Sequence, residues 1–176
     1  MTPLDIFARE ARLFCQWATG ADGSAASVPA ALTRVGALYN AALALPHPWT
    51  PGMSDQLADV ELPDTDLRLV AERAATLPCQ LYWEIFDPLQ DPPEEPVVGH
   101  TSDDIGDIYR DVARGLVLFD FGRRDEAGWE WGFNFRIHWG EHATGALRAF
   151  HAYLAQEDPD GLSSMPNTSL ERTREG

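Results

Sequence analysis

Apolar residues recur at helical spacing along most of this chain and predict a protein built from helices. In residues 4–18 they return every three or four positions, and Gly20 marks the end of this first predicted helix. The second predicted helix follows Ser27, a favourable N-cap, and has Pro29 in its first turn, where a proline needs no hydrogen-bond partner. Both segments are amphipathic, as expected of helices that cover a common core.

The middle of the chain alternates a linker, a third predicted helix and an irregular segment. A linker over residues 53–63 leads to Asp64, which can cap the third helix. Residues 79–88 are interpreted as a short helix because three apolar side chains fit its period, although their aromatic content leaves a strand possible. The proline-rich and acidic residues 87–100 predict a loop.

Two long segments near the C-terminus form the predicted centre of the fold. Thr101 or Ser102 can cap the fourth helix, predicted over about residues 102–122, and a tight turn leads to a fifth over about residues 125–156. Together they predict an antiparallel hairpin. The expected fold is therefore all-α, a single domain of about five or six helices in residues 1–156, followed by a mobile polar tail in residues 157–176.

Acidic side chains on the fourth predicted helix have the same spacing as two histidines on the fifth. A tight hairpin pairs Asp111 with His138 and Asp107 with His142, since facing positions of such a hairpin sum to a constant. The same register sets Gly115 opposite Asn134 and Gly145 opposite Asp104, where the backbones could approach closely. The candidate polar cluster comprises Asp104, Asp107, Asp111, His138, His142, Arg110 and Trp131.

This cluster has three interpretations. It could be a satisfied polar network that sets the register of the hairpin. It could instead bind a divalent metal such as zinc, manganese or iron through His138, His142, Asp107 and Asp111, which offer mixed nitrogen and oxygen ligands. In the third interpretation a histidine poised by an aspartate is a general acid or base, and Arg110 anchors an anion if it turns inward.

The run from His138 to His142 formally matches the H-x-x-E-H pattern of inverted zinc peptidases. On a helix, however, Glu141 points about 60° or more away from the two histidines. Gly140 also weakens the helix at this point. We therefore give this match little weight.

The charge of the chain limits its partners. With 28 acidic and 13 basic residues among 176, its net charge of −15 argues against nucleic acid or anionic lipid and favours a basic protein, a cationic ligand or a metal. Cys15 and Cys79 form no C-x-x-C pair and are expected to be buried free thiols. The start of the chain lacks the pattern of a signal peptide, which predicts a cytoplasmic protein.

Three segments resemble a bacterial family known as domain of unknown function 5063. They are Tyr82 with the Phe86–Asp87–Pro88 motif, the run from Ser102 to Leu116, and the run from Trp129 to His151, which contains HWGEHATGALR. The resemblance implies an all-helical domain and brings no established activity. Glu141 falls on a variable position of the family pattern, and Gly106 stands where other members carry alanine.

These observations lead to two functional predictions. The first is a cytoplasmic interaction or regulatory module without catalysis, whose acidic surface meets a basic protein partner. The alternative is a metal-dependent or histidine-based enzyme that uses the Asp/His cluster.

Overall fold

The computed structural model describes residues 1–45 and 60–160. Within these ranges it has six α-helices and two short strands. A π-helical turn, Phe135–Trp139, joins the last two helices into one rod. In chain order the elements are α1 (Pro3–Thr19), α2 (Val28–Ala42), α3 (Asp64–Ala74), β1 (Leu81–Glu84), β2 (Val97–His100), α4 (Thr101–Asp120), α5 (Arg124–Asn134) and α6 (Gly140–Gln156).

The first helix ends, and the second helix begins, where the sequence predicts. Thr2 and Asp5 form a capping box at the start of α1, and Gly20 ends it with a φ of 79°, in the left-handed region. The Ser27 side chain accepts a hydrogen bond from the amide of Ala30 at the start of α2. The predicted linker lies mostly outside the described residues, and so does most of the predicted tail.

Helix α4 occupies the centre of the domain, in contact with α1, α3, α5 and α6. Gly122 follows the end of α4, and the φ of 78° at this glycine allows the chain to turn back into α5. The predicted antiparallel hairpin is thus confirmed. The predicted cap is wrong, because no side chain caps α4 and the Thr101 hydroxyl instead donates to the carbonyl of Cys79 at 2.8 Å.

The predicted short helix in residues 79–88 is also wrong, as is the unbroken loop in residues 87–100. The two segments contain β1 and β2, which pair antiparallel with Tyr82 opposite Gly99 and Trp83 opposite Val98. Aromatic side chains that alternate between two faces favour a strand once a partner strand is available. The protein is therefore a helical domain with one small hairpin, and this hairpin lies next to the start of α4.

The π turn sets the orientation of the rod that it interrupts. In an uninterrupted α-helix Trp131 and Trp139 would be offset by about 80°. The extra residue in the π turn brings both indoles to the core, where Phe7 of α1 lies 4.8 Å and 6.0 Å from them, ring centre to ring centre.

None of the helices in residues 1–45 and 60–160 is long and apolar enough to cross a membrane.

Candidate functional site

Helices α4 and α6 and the π turn bring two histidines against three aspartates. His138 Nδ1 lies 2.7 Å from Asp111 Oδ2, and His142 Nδ1 lies 2.9 Å from Asp104 Oδ1. On the other side of its ring, His142 Nε2 lies 3.6 Å from Asp107 Oδ2. Each imidazole therefore has a carboxylate next to its Nδ1 atom, and His142 has a second carboxylate near its Nε2 atom.

The two histidines differ in their surroundings. The side chain of His142 is 31% exposed and that of His138 is 44% exposed, whereas Asp104 behind His142 is buried. The hydrogen bond to Asp104 raises the pKa of His142 above its usual value, and burial of the ring opposes this effect. The charges of Asp107 and Glu141 raise this pKa further. Protonated His142 is thus stabilised by the acids around it.

The β-hairpin contributes two further residues to the cluster. The Tyr82 hydroxyl donates to Asp104 Oδ2 at 2.9 Å and lies 3.2 Å from Glu84 Oε2. Burial and the neighbouring carboxylate of Asp104 both raise the pKa of Tyr82, so the phenol stays protonated and remains a donor. Asp104 therefore accepts bonds from both Tyr82 and His142, which fixes the positions of both rings.

Two glycines make room for the Tyr82 ring. A Cβ at Gly99, its cross-strand neighbour, would overlap the ring, and a Cβ at Gly145 of α6 would overlap the hydroxyl. Gly145 thus faces Tyr82. The hairpin register alone would instead set Gly145 opposite Asp104. The close approach lets the hairpin pack on α6 while its tyrosine reaches the buried carboxylate of Asp104.

A metal ion could be held by Asp107, His138 and His142, because one ligand atom from each lies within 4.8 Å of the other two. Asp107 is also the partner of Arg110, which forms an ion pair with its other oxygen. Asp111, a predicted fourth ligand, instead lies behind the His138 ring. The residues that could ligate one ion together are therefore two histidines and one aspartate.

Trp131 lies in the core and is separate from this cluster. Its side chain is fully buried, its Nε1 donates to the carbonyl of Val112 at 2.9 Å, and its indole covers Gly115. Gly115 therefore faces Trp131 and not Asn134, the position that the predicted register sets opposite it. Glu141 is exposed, and in the part of the chain that the structure describes the acids paired with the two histidines are Asp104, Asp107 and Asp111.

Tyr82 and Glu84 are absent from the predicted cluster because the period of apolar residues in 79–88 favours a helix. The aromatic content of this segment, which is compatible with a strand, is the signal that could have placed Tyr82 and Glu84, two positions apart, on one face. Even so, their contact with Asp104 depends on where the hairpin packs, and local spacing does not specify this.

Comparison with known proteins places the chain in a family and supports the fold. A family model described as a domain of unknown function, DUF5063, matches residues 4–156. The crystal structure of protein BF1032 from Bacteroides fragilis superposes with a TM-score of 0.64 at 20% identity, covering 85% of this chain and 90% of that one. None of the curated proteins matches the sequence. The chain therefore belongs to the DUF5063 family.

Proposed function

We propose that this protein binds a divalent transition metal through Asp107, His138 and His142. The observation that carries the proposal is the arrangement of the two imidazoles, each with Nδ1 against a carboxylate. Metal-binding histidines commonly donate one ring N–H to a carboxylate, which fixes the tautomer and leaves the other nitrogen free to bind the metal. In this arrangement Asp104 and Asp111 orient the ligands.

The spacing of the ligand atoms is compatible with such a site. Zinc–nitrogen and zinc–oxygen bonds of about 2.0–2.1 Å place neighbouring tetrahedral ligands about 3.3 Å apart. His142 Nε2 and Asp107 Oδ2 are 3.6 Å apart, close to this value. The widest separation in the cluster is 4.8 Å, so a bound ion would draw the side chains together by roughly 1–2 Å.

A second feature in favour of a site is the π turn that carries His138. Single π turns inside α-helices occur frequently at functional sites, because the extra residue changes which side chains share a face. Two histidines and one carboxylate suit zinc, iron or manganese and leave coordination positions for water. The metal would supply Lewis acidity there. Arg110, next to Asp107, could then bind an anionic group of a substrate. We therefore extend the proposal from a metal-binding protein to a metal-dependent enzyme.

Calorimetric titration of chelator-treated protein with zinc, manganese and ferrous ions tests this proposal. We expect one site per chain, lost in Asp107→Asn, His138→Ala and His142→Ala. Substituting either orienting carboxylate, Asp104 or Asp111, by asparagine should weaken binding by about 10–100-fold.

The controls for this titration are Asp103→Asn and His151→Ala, which alter exposed residues of the same two helices outside the cluster. Both controls should bind metal as the wild type does. If no metal binds, and the cluster variants only lower the free energy of unfolding, the aspartates and histidines form a structural network and the proposal is wrong.

The second candidate function is a non-catalytic interaction or regulatory module, placed in the cytoplasm, that binds a basic protein. Its support is the net charge of −15 and the uneven distribution of that charge. The chain has no lysine, and no arginine occurs between Arg73 and Arg110, a segment with eight acidic residues. A metal site and an interaction surface are compatible, since the acidic segment extends well beyond the Asp/His cluster.

A further inference from the structure

We propose that the outer face of the β-hairpin is a docking surface for a basic protein segment that also carries apolar side chains. The hairpin face is defined here as Leu81, Trp83 and Val98, with Phe86 and Leu89 in the connecting loop. The inference rests on the interaction module as the second candidate function and is independent of the metal site.

The hairpin concentrates the exposed apolar surface of the domain. Of the twelve large hydrophobic side chains that are exposed in the described ranges, six lie between Leu81 and Val98. Trp83 is 68% exposed and Val98 is its cross-strand partner, so their side chains lie together on the outer face. Leu81 is on the same face, since side chains two positions apart along a strand point the same way.

The opposite face of the hairpin is the one that packs on the domain. It carries Tyr82, whose hydroxyl donates to Asp104, and Glu84, whose carboxylate contacts that hydroxyl, and both side chains lie against Gly145 of α6. The outer face therefore cannot turn inward without loss of these contacts. An apolar patch that is held outward on a rigid support, and that contains an exposed tryptophan, is typical of a protein interaction site.

The negative charge of the loop between the two strands indicates a basic partner. Asp87, Asp91, Glu94 and Glu95 occupy the loop between the strands, and all four are exposed. No arginine of the described residues forms an ion pair with any of them. Carboxylates without an arginine partner, in the same hairpin as exposed apolar side chains, complement a segment with arginine or lysine next to leucine or aromatic residues. A second copy of this chain would bring the same acids together and be repelled.

The test uses fluorescein-labelled twelve-residue peptides and fluorescence anisotropy with the full chain. We expect a peptide of alternating arginine and leucine to bind more tightly than an arginine–serine or a glutamate–leucine peptide of the same length. Binding should weaken about 10-fold or more in Trp83→Ala and in the triple variant Asp91→Asn, Glu94→Gln, Glu95→Gln. It should also weaken as salt rises.

Matched controls locate the effect. Phe121→Ala removes another exposed aromatic side chain, and the triple variant Glu72→Gln, Asp125→Asn, Glu157→Gln removes three exposed acids elsewhere. Both controls should bind the arginine–leucine peptide as the wild type does. His142→Ala should bind it too, so that failure of the metal site and failure of the docking surface are distinguishable.

Three results would overturn the inference. One is equal loss of binding in the hairpin and control variants, which would mean that net charge alone attracts the peptide. Another is equal binding of the arginine–serine peptide, which would leave the apolar side chains without a role. The third is a dimer of the wild type in sedimentation that Trp83→Ala abolishes, since a second copy would then cover the hairpin face.

Discussion

His142 is the residue on which the polar cluster converges. Its Nδ1 contacts the buried Asp104, its Nε2 faces Asp107, and its ring meets the edge of His138 with 4.9 Å between ring centres. A cationic ring gains from both carboxylates, whereas a neutral ring can offer Nε2 to a metal. Protons and metal ions should therefore compete for this nitrogen.

In chelator-treated protein we expect the pKa of His142 to lie above its ordinary value of 6.5, chiefly because of the hydrogen bond to Asp104. Asp104→Asn should lower this pKa, while Asp103→Asn, an exposed neighbour, should leave it unchanged. NMR titration of the imidazole Cε1–H resonance measures it. An unchanged His142 pKa in Asp104→Asn would show that the bond to Asp104 has no part in the shift.

The same shift predicts how stability depends on pH. Because the pKa of His142 is higher in the folded state, its contribution is fully present below the unfolded pKa, about 6.5, and is lost as pH rises through the folded pKa. Urea unfolding should show that the wild type loses more free energy of unfolding than His142→Gln between pH 6 and pH 8. Equal losses in the two proteins would contradict this.

The two thiols should differ in reactivity. Burial raises the pKa of Cys15 to about 12, and it also raises that of the half-buried Cys79. We expect iodoacetamide at pH 8 to label Cys79 slowly and Cys15 only after unfolding, as measured by mass spectrometry of the digested protein. Rapid labelling of Cys15 in the native state would contradict its position in the core.

At the scale of the elements, the sequence predicts best where the structure depends on local spacing. Gly20, Ser27 and Gly122 mark helix ends through their backbone preferences and side chains, and their roles could be predicted from neighbouring residues alone. The β-hairpin could not be predicted in this way, because Tyr82 becomes a strand residue only by pairing with Gly99. A proline-rich loop separates Gly99 from Tyr82 along the chain.

The π turn is a second feature that the hydrophobic pattern conceals. A periodicity of about 100° per residue places Trp131 and the two histidines on one stripe. The structure instead buries Trp131 and Trp139 together and leaves the histidines at the edge of α4. Packing of the two indoles against Phe7 favours the extra residue, and such a tertiary effect has no local signature.

Gly140 is required by the π turn, because a Cβ there would overlap the carbonyl oxygen of Phe135. We expect Gly140→Ala to destabilise the fold by about 1–3 kcal/mol. Gly106→Ala is the matched control, since a Cβ at this helical glycine meets open space, and it should stabilise the fold by up to about 1 kcal/mol. Urea unfolding measures both. Equal effects of the two substitutions would mean that the π turn imposes no requirement at Gly140.

For the whole molecule, the feature of composition that we expect to affect stability most is the excess of negative charge. Two ion pairs, Arg12 with Asp120 and Arg124 with Asp5, connect α1 to the end of α4 and the start of α5, but all four side chains are partly exposed, by 34% to 49%. Such exposed pairs each contribute only about 0–1 kcal/mol. Repulsion among the unpaired acids should therefore outweigh them at low ionic strength.

We expect the Tm to rise when sodium chloride increases from about 10 mM to about 150 mM, since the Debye length shortens from about 30 Å to about 8 Å and screens the repulsion. Differential scanning calorimetry measures the change. The triple variant Asp91→Asn, Glu94→Gln, Glu95→Gln, with three fewer negative charges, should show a smaller rise. A Tm that falls with salt would mean that the ion pairs dominate.

Only part of the candidate site could be predicted from the sequence. The spacing of Asp107 and Asp111 on α4 matches that of His142 and His138, and a helical hairpin brings such side chains together by geometry alone. The sequence does not indicate that Tyr82 would support Asp104 from another element. The orientation of the imidazoles depends on contacts of this kind, so it emerges only at the scale of the folded domain.

The most direct test of a metal at Asp107, His138 and His142 is anomalous X-ray scattering from zinc-soaked crystals, recorded on both sides of the zinc edge. We expect one peak about 2.0–2.2 Å from Nε2 of both histidines and from a carboxylate oxygen of Asp107, absent in His142→Ala. A peak only at other surface carboxylates, or no peak while both Nδ1 atoms remain bonded to Asp104 and Asp111, would contradict the account.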